Sequence, residues 1–172
     1  MPNWCEGKLK VRGKKENIMK WLSECVAVWN PDVEKGKPLY EALIFRKDTN
    51  GVSFTYDVEL DEFHISVKDS ARITGTRRNF VQKCENDFCF GAMDGKDIII
   101  LPVEAAWALE SEPYEEMSKK YGLDFRFYGY ECGMEFNQEI EVVNGETTID
   151  REIRFDDYFW ECPDPTLGGL CI

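Results

Sequence analysis

PNWCEGKLKVRG, residues 2–13, alternates in character along its length. Cys5, Leu9 and Val11 point to one side of an extended chain, and the charged residues between them point to the other. This period of two predicts a strand with one face on the core and one face in water. We expect the strand to lie in the interior of an antiparallel sheet.

Helical spacing follows directly. Between residues 16 and 27 the apolar side chains, including Trp21, recur at intervals of three and four residues and form one stripe. This spacing predicts a helix over 16–27 with Trp21 buried. A second helix is predicted over Glu112–Tyr121, with Ser111 as its cap and Gly122 as its end.

Between the helices the pattern returns to alternation and predicts hairpins, together with a strand at 39–46. The order strand, helix, strand, then strand, helix, strand is that of a ferredoxin-like α+β fold, a split βαβ core with additional antiparallel hairpins. We predict one domain over residues 1–155, with hairpins inserted at about 39–75 and both helices on one face of the sheet. Residues 156–172 form an acidic, aromatic tail.

Two segments resemble the YubB-type ferredoxin-like family of phage, plasmid and integrative-element proteins. The first is the opening PNWC motif, with Leu9, Val11 and Gly13 after it. The second runs from Trp107 through the YGL motif at 121–123 to Phe136, whereas residues 40–89 depart from the family pattern. The resemblance implies the ferredoxin-like fold and a mobile-element setting. Members of the family are largely uncharacterised, so it implies no activity.

Cysteine and histidine usage argues against metal, cofactor and catalytic sites. The seven cysteines are odd in number and irregularly spaced, and His64 is the only histidine. We therefore predict reduced, metal-free thiols and no cofactor. No serine, cysteine or lysine constellation indicates an activated nucleophile, so we do not expect an enzyme. The chain lacks a signal-peptide pattern and a run of ~20 apolar residues, which predicts a cytoplasmic protein without a membrane partner.

Charge is distributed unevenly along the chain. From residue 104 onward there are 17 acids and 5 bases, which leaves 16 of each in the first 103 residues, so the C-terminal part holds the entire net charge of −12. This asymmetry argues against direct nucleic-acid binding by the C-terminal part. It favours a basic partner, a cation or simple solubility.

A hairpin turn at Asn144 and Gly145 places much of this charge on one predicted face. Counting back from the turn sets Glu139 opposite Asp150, a like-charge pair that weakens a sheet by up to ~1 kcal/mol. Neutralising this pair should therefore leave stability unchanged or raise it. The predicted partner-binding face carries six carboxylates: Glu135, Glu139, Glu141, Glu146, Asp150 and Glu152.

Three interpretations of this face stay open. It could bind a basic protein surface in place of phosphates, most concretely as an anti-CRISPR or anti-restriction inhibitor of a nucleic-acid-handling host protein. It could hold Mg²⁺ or Ca²⁺. It could also be a solvated face that keeps the protein soluble, which is the commonest use of surface charge.

Basic residues elsewhere give weaker signals. Arg77 and Arg78 precede the aromatic Phe80 and are expected to form a solvated surface pair or to pair with the acidic part of the chain. The first strand offers a basic stripe without a neighbouring aromatic beyond Trp4, so RNA binding ranks below protein binding. The stripe consists of Lys8, Lys10 and Arg12.

Overall fold

A computed structural model describes residues 3–28, 52–57, 62–89 and 95–157. The predicted strand at 39–46 and all but the first two residues of the predicted tail lie outside these residues. The described elements are β1 (Trp4–Gly13), α1 (Lys15–Cys25), β2 (Val26–Val28), β3 (Val52–Asp57), β4 (Glu62–Ile73), β5 (Asn79–Cys89), β6 (Asp97–Ala106), α2 (Glu112–Tyr121), β7 (Asp124–Glu131), β8 (Phe136–Val143) and β9 (Glu146–Ile153).

All the strands belong to one antiparallel sheet, in the order β2-β4-β5-β6-β1-β7-β8-β9, with β3 also paired to β4. The first strand lies in the interior, as predicted, because β6 pairs along one side of it and β7 along the other. Its buried residues Leu9 and Val11 belong to the main hydrophobic core. Gly7 lets β1 and β7 approach closely, since a Cβ at this position would collide with the Tyr128 carbonyl oxygen.

The predicted fold class is wrong: the protein is mostly β and is not a ferredoxin-like α+β fold. The described residues form nine strands and only two helices, of 11 and 10 residues. Strands β4, β5 and β6 are 12, 11 and 10 residues long, and successive hairpins join most of the sheet. Within the described residues the strands hold far more of the chain than the helices, and β3 and β4, which we treated as insertions into a small core, are integral to the sheet.

The two helices contact each other over the sheet. The Trp21 indole N–H lies 3.3 Å from the Met117 sulfur, and both Trp21 and Tyr114 meet the Phe125 ring edge-on. Trp21 is fully buried, as predicted. The first helix ends two residues early, because Val26 is already extended and begins β2.

The second helix has the predicted bounds, but its start differs in detail. Gly122 ends it in the left-handed conformation, with φ 65°, and donates its N–H to the Ser118 carbonyl. Ser111 is the N-cap residue, as predicted, but its side chain makes no capping hydrogen bond. Its hydroxyl donates instead to Asp150 on β9, at 2.9 Å.

Among the described residues, Cys132 departs from the prediction of reduced thiols. Cys5, Cys25 and Cys84 are free thiols. Burial raises the pKa of Cys5 to about 12, with the nearby Glu131 and Glu6 adding to the shift, so this thiol stays protonated at neutral pH. Cys132, however, is disulfide-bonded. Within the described residues, neither helix is long and apolar enough to span a membrane.

Candidate functional site

The β8–β9 hairpin turns where the sequence predicts. Asn144 and Gly145 both have positive φ, 53° and 80°, and Val143 pairs with Glu146 across the turn. The turn is anchored to its surroundings, since the Gly145 N–H donates to the Ser118 hydroxyl of α2 at 2.8 Å. Asparagine and glycine adopt this backbone conformation at low steric cost, and for this reason the turn could be predicted from the sequence.

Beyond the turn the predicted register is wrong. A bulge shifts the pairing between Glu141 and Val142, and Thr148 has no partner in the register. As a result Glu139 lies opposite Arg151, and Asp150 lies opposite Ile140. The like-charge pair of Glu139 and Asp150 does not exist. The Thr148 hydroxyl donates to the Glu141 carboxylate at 2.8 Å, which fastens the bulged residue to β8.

The bulge also divides the six predicted carboxylates, because a shift of one residue moves a side chain to the other face of a strand. Glu139 and Glu141 lie on the face of the sheet away from the helices, as does Glu146 opposite Val143. Asp150 and Glu152 lie on the helix side, and Glu135 precedes β8 in a turn. The predicted single acidic lattice is therefore not formed.

The buried carboxylate of Glu139 forms ion pairs with two exposed arginine side chains. Its carboxylate accepts from Arg126 at 2.6 Å and from two nitrogens of Arg151 at 2.6 and 2.9 Å. The hydrogen bond from Arg126, followed by that from Arg151, lowers the pKa of the Glu139 carboxyl from its ordinary value. Glu141 lies 3.7 Å from Arg126 as well. Arg126 and Arg151 of the same chain therefore neutralise the carboxylates at the centre of the predicted face.

Three of the six predicted residues remain exposed and form no ion pair with the described residues. These are Glu135, Glu146 and Asp150. Glu152 is partly exposed and receives a hydrogen bond from Arg154 at 2.6 Å. The structure therefore leaves these carboxylates exposed at the two ends and on both faces of the hairpin, around a neutralised centre, and we call this set the acidic margin.

Sequence reasoning missed Arg126 and Arg151, which determine what Glu139 does. Arg126 is 13 residues from Glu139 and reaches it because β7 pairs with β8. The available signal was that an arginine follows Asp150 directly. A register with Arg151 opposite Glu139 has no repulsion between Glu139 and Asp150, but that register forms only with the bulge, which the sequence did not indicate.

The interpretation of the acidic face as a metal site gains no support from the geometry. Glu139 and Asp150, which the predicted register set opposite each other, lie on opposite faces of β8 and β9. Among the described residues there is no group of three or more histidine, cysteine, aspartate or glutamate side chains arranged to hold a metal ion. His64 lies 3.9 Å from the Glu85 carboxylate on the paired strands β4 and β5.

The two arginines before β5 both have partners. Arg77 lies 3.8 Å from the Glu110 carboxylate, so it pairs with the acidic part of the chain as one of our alternatives predicts. The Arg78 guanidinium lies 5.8 Å from the centre of the Trp4 ring, in a cation–π arrangement.

No family model, no curated protein and no solved structure matches the chain.

Proposed function

We propose that the protein acts by binding, and that the exposed acidic margin around β9 docks onto a basic surface of another protein. The observation that carries this proposal is the set of carboxylates left over once the internal ion pairs are formed. Glu139 and Glu141 have arginine partners, whereas Glu135, Glu146 and Asp150 face solvent without one in the described residues.

The position of β9 supports docking. It is the last strand in the sheet order, and among the described residues it pairs with β8 alone. Exposed charges on an outer strand meet a partner early, so they raise association rates and select partners of opposite charge. Proteins that handle nucleic acids carry basic clefts for phosphates. An inhibitor of such a protein, of the kind mobile elements encode, is the concrete form of this proposal.

A second function is favoured by the same position. Charged side chains on an outer strand prevent edge-to-edge pairing with another copy of the chain. This alternative predicts that neutralised protein self-associates, while any partner binding is unaffected.

The test uses a neutralised variant with three substitutions: Glu135→Gln, Glu146→Gln and Asp150→Asn. The full chain is titrated into cleavage assays with purified restriction endonucleases and RNA-guided nucleases. Partners for the panel are found by affinity capture from a bacterial lysate at low and high salt. We expect the parent to inhibit at least one nuclease in competition with DNA, less strongly at high salt, and the neutralised variant to inhibit it less.

A matched control changes net charge by the same three units at exposed acids remote from the hairpin. Its substitutions are Glu16→Gln, Asp69→Asn and Glu85→Gln. Equal inhibition by parent, variant and control would refute the proposed surface. Self-association of the neutralised variant alone, with inhibition unchanged, would assign the margin to edge protection.

A further inference from the structure

The face of the sheet away from the helices has a composition unlike the rest of this acidic chain. The side chains of β1 that point away from the core are Glu6, Lys8, Lys10 and Arg12, and we define the open face by the three cations and their neighbours in register. Directly paired residues in antiparallel strands share a face. The register therefore adds Pro102, Ile100 and Ile98 from β6 on one side, and Tyr128, Arg126 and Asp124 from β7 on the other.

Positive charge reaches solvent on the open face, while the matching negative charge is buried beneath it. The side chains of Arg126 and Arg151 are 52% and 62% exposed, whereas that of their shared partner Glu139 is 5% exposed. Exposed Arg12 likewise lies above the buried carboxylate of Asp124, at 2.8 Å. On β1 and β7 the exposed charged groups of this face are cations, although the chain as a whole carries −12.

Two cations of the open face have no partner in the described part of the chain. Lys8 and Lys10 are exposed on β1, and neither side chain makes a hydrogen bond or an ion pair with a described residue. Alternate residues along a strand are ~6.8 Å apart, so the two ammonium groups form a short row of positive charge. Arg126, directly opposite Lys10, extends this row across to β7.

Apolar and aromatic surface lies beside these cations. Ile98 and Ile100 are 49% and 41% exposed and flank Arg12 and Lys10. Tyr128 is half-buried opposite Lys8, and its hydroxyl accepts a hydrogen bond from the Asn137 amide at 3.3 Å. The sequence alone showed a basic stripe without a stacking group, and the register supplies one.

Two shallow clefts follow the same rows. One, of about 210 Å³, is lined by Lys10, Arg12 and Arg126, by the carboxylates of Asp124 and Glu141, and by Ile98 and Val143. The other, of about 600 Å³, lies between Ile100 and β5, where Lys8, Lys83 and Glu85 border it. The clefts continue one surface across β5, β6, β1 and β7.

We propose that the open face binds single-stranded nucleic acid. Lys8, Lys10 and Arg126 contact backbone phosphates, and bases stack on Tyr128 or rest on the exposed isoleucines. Single-strand binding surfaces combine a positively charged groove with side chains on which bases stack, without reading a sequence. An acidic polypeptide would use the cations but not Tyr128. A duplex is disfavoured because no described helix or ribbon projects from this face to enter a groove.

Binding is measured by fluorescence anisotropy of labelled oligo(dT) and oligo(U), about twelve nucleotides long, with the full chain. The four cations of β1 and β7, counting Arg12, predict a slope of log affinity against log salt of about −3. The variant Lys8→Gln/Lys10→Gln should weaken binding about tenfold and reduce this slope by about 1.4. Tyr128→Leu should weaken binding while leaving the salt slope unchanged, because stacking carries no charge.

The matched control removes two exposed lysines at and near the first helix, Lys14→Gln/Lys20→Gln, and should bind like the parent. Urea midpoints establish that each variant is folded. The inference is overturned if the parent binds neither oligonucleotide at low salt, or if the two lysine pairs weaken binding equally. It is also overturned if polyglutamate or a second copy of the chain occupies the face with the same lysine dependence and no effect of Tyr128→Leu. The acidic margin shares only Glu146 with this face and none of the residues substituted here, so these outcomes leave the nuclease test independent.

Discussion

Glu139→Gln is the most informative single substitution, because the sequence and the structure predict opposite signs for it. If Glu139 faced Asp150, neutralising it would relieve repulsion and raise stability. In the structure its carboxylate instead accepts three hydrogen bonds from Arg126 and Arg151. Glutamine retains the shape but loses the charge, and its amide group presents donors to guanidinium donors.

The expected loss follows from the geometry. Charge-assisted hydrogen bonds are worth about 1.5–3 kcal/mol each when buried. Here both guanidinium groups are more than half exposed and recover hydration when released, so about 1 kcal/mol per arginine is the appropriate value. We therefore expect Glu139→Gln to lower the free energy of unfolding by about 2 kcal/mol at pH 7.

Urea unfolding at several pH values tests this magnitude. The folded-state pKa of Glu139 is lowered, so its stabilisation is present above the pKa of the unfolded chain and is lost as pH falls through the folded pKa. The difference between parent and variant should thus shrink between about pH 5 and pH 3. Glu146→Gln, an exposed acid of the same hairpin, is the control and should change stability by less than about 0.5 kcal/mol. Equal or greater stability of Glu139→Gln at pH 7 would refute the ion-pair reasoning.

Three further changes probe other parts of the molecule. Glu104→Gln should raise the free energy of unfolding at neutral pH by about 0.5 kcal/mol, measured by urea titration. The reason is that burial raises the pKa of Glu104, and Glu6 faces it across the strands. This gain should disappear as pH falls and Glu104 takes up a proton, and a gain that persists in acid would contradict the assignment. Gly7→Ala should cost about 2 kcal/mol or more, since its Cβ would meet the Tyr128 carbonyl oxygen, and circular dichroism melting measures the loss. Alkylation and peptide mapping of the unreduced, unfolded chain should leave Cys132 unlabelled until a reductant is added, whereas labelling without reductant would disprove its disulfide.

Local patterns predicted the elements of this protein well. Alternation along residues 2–13 identified a strand that the structure places between β6 and β7. The bounds of the second helix and the turn at Asn144 and Gly145 were also readable. Each of these depends on interactions within a few residues, which composition and spacing express directly.

The fold class could not be predicted as well as the single elements, because the same strands can be assembled into a sheet in several ways. The two helices were clear in the sequence, but their share of the structure depends on how much extended chain joins the sheet. β4, inside the region treated as inserted, pairs with β5 over most of its length and extends the sheet well beyond the expected core.

Sequence by itself determined where the chain is extended or helical, and which residues carry charge. Tertiary structure alone decided which charges meet. A single bulged residue, Thr148, moved Asp150 to the helix side and brought Arg151 to Glu139, while β7 supplied Arg126 from the neighbouring strand. Pairing across strands likewise placed Tyr128 beside Lys8. Side chains alternate faces with a period of two, so one residue of register decides the surface on which a charge stands, and register is fixed by packing between strands.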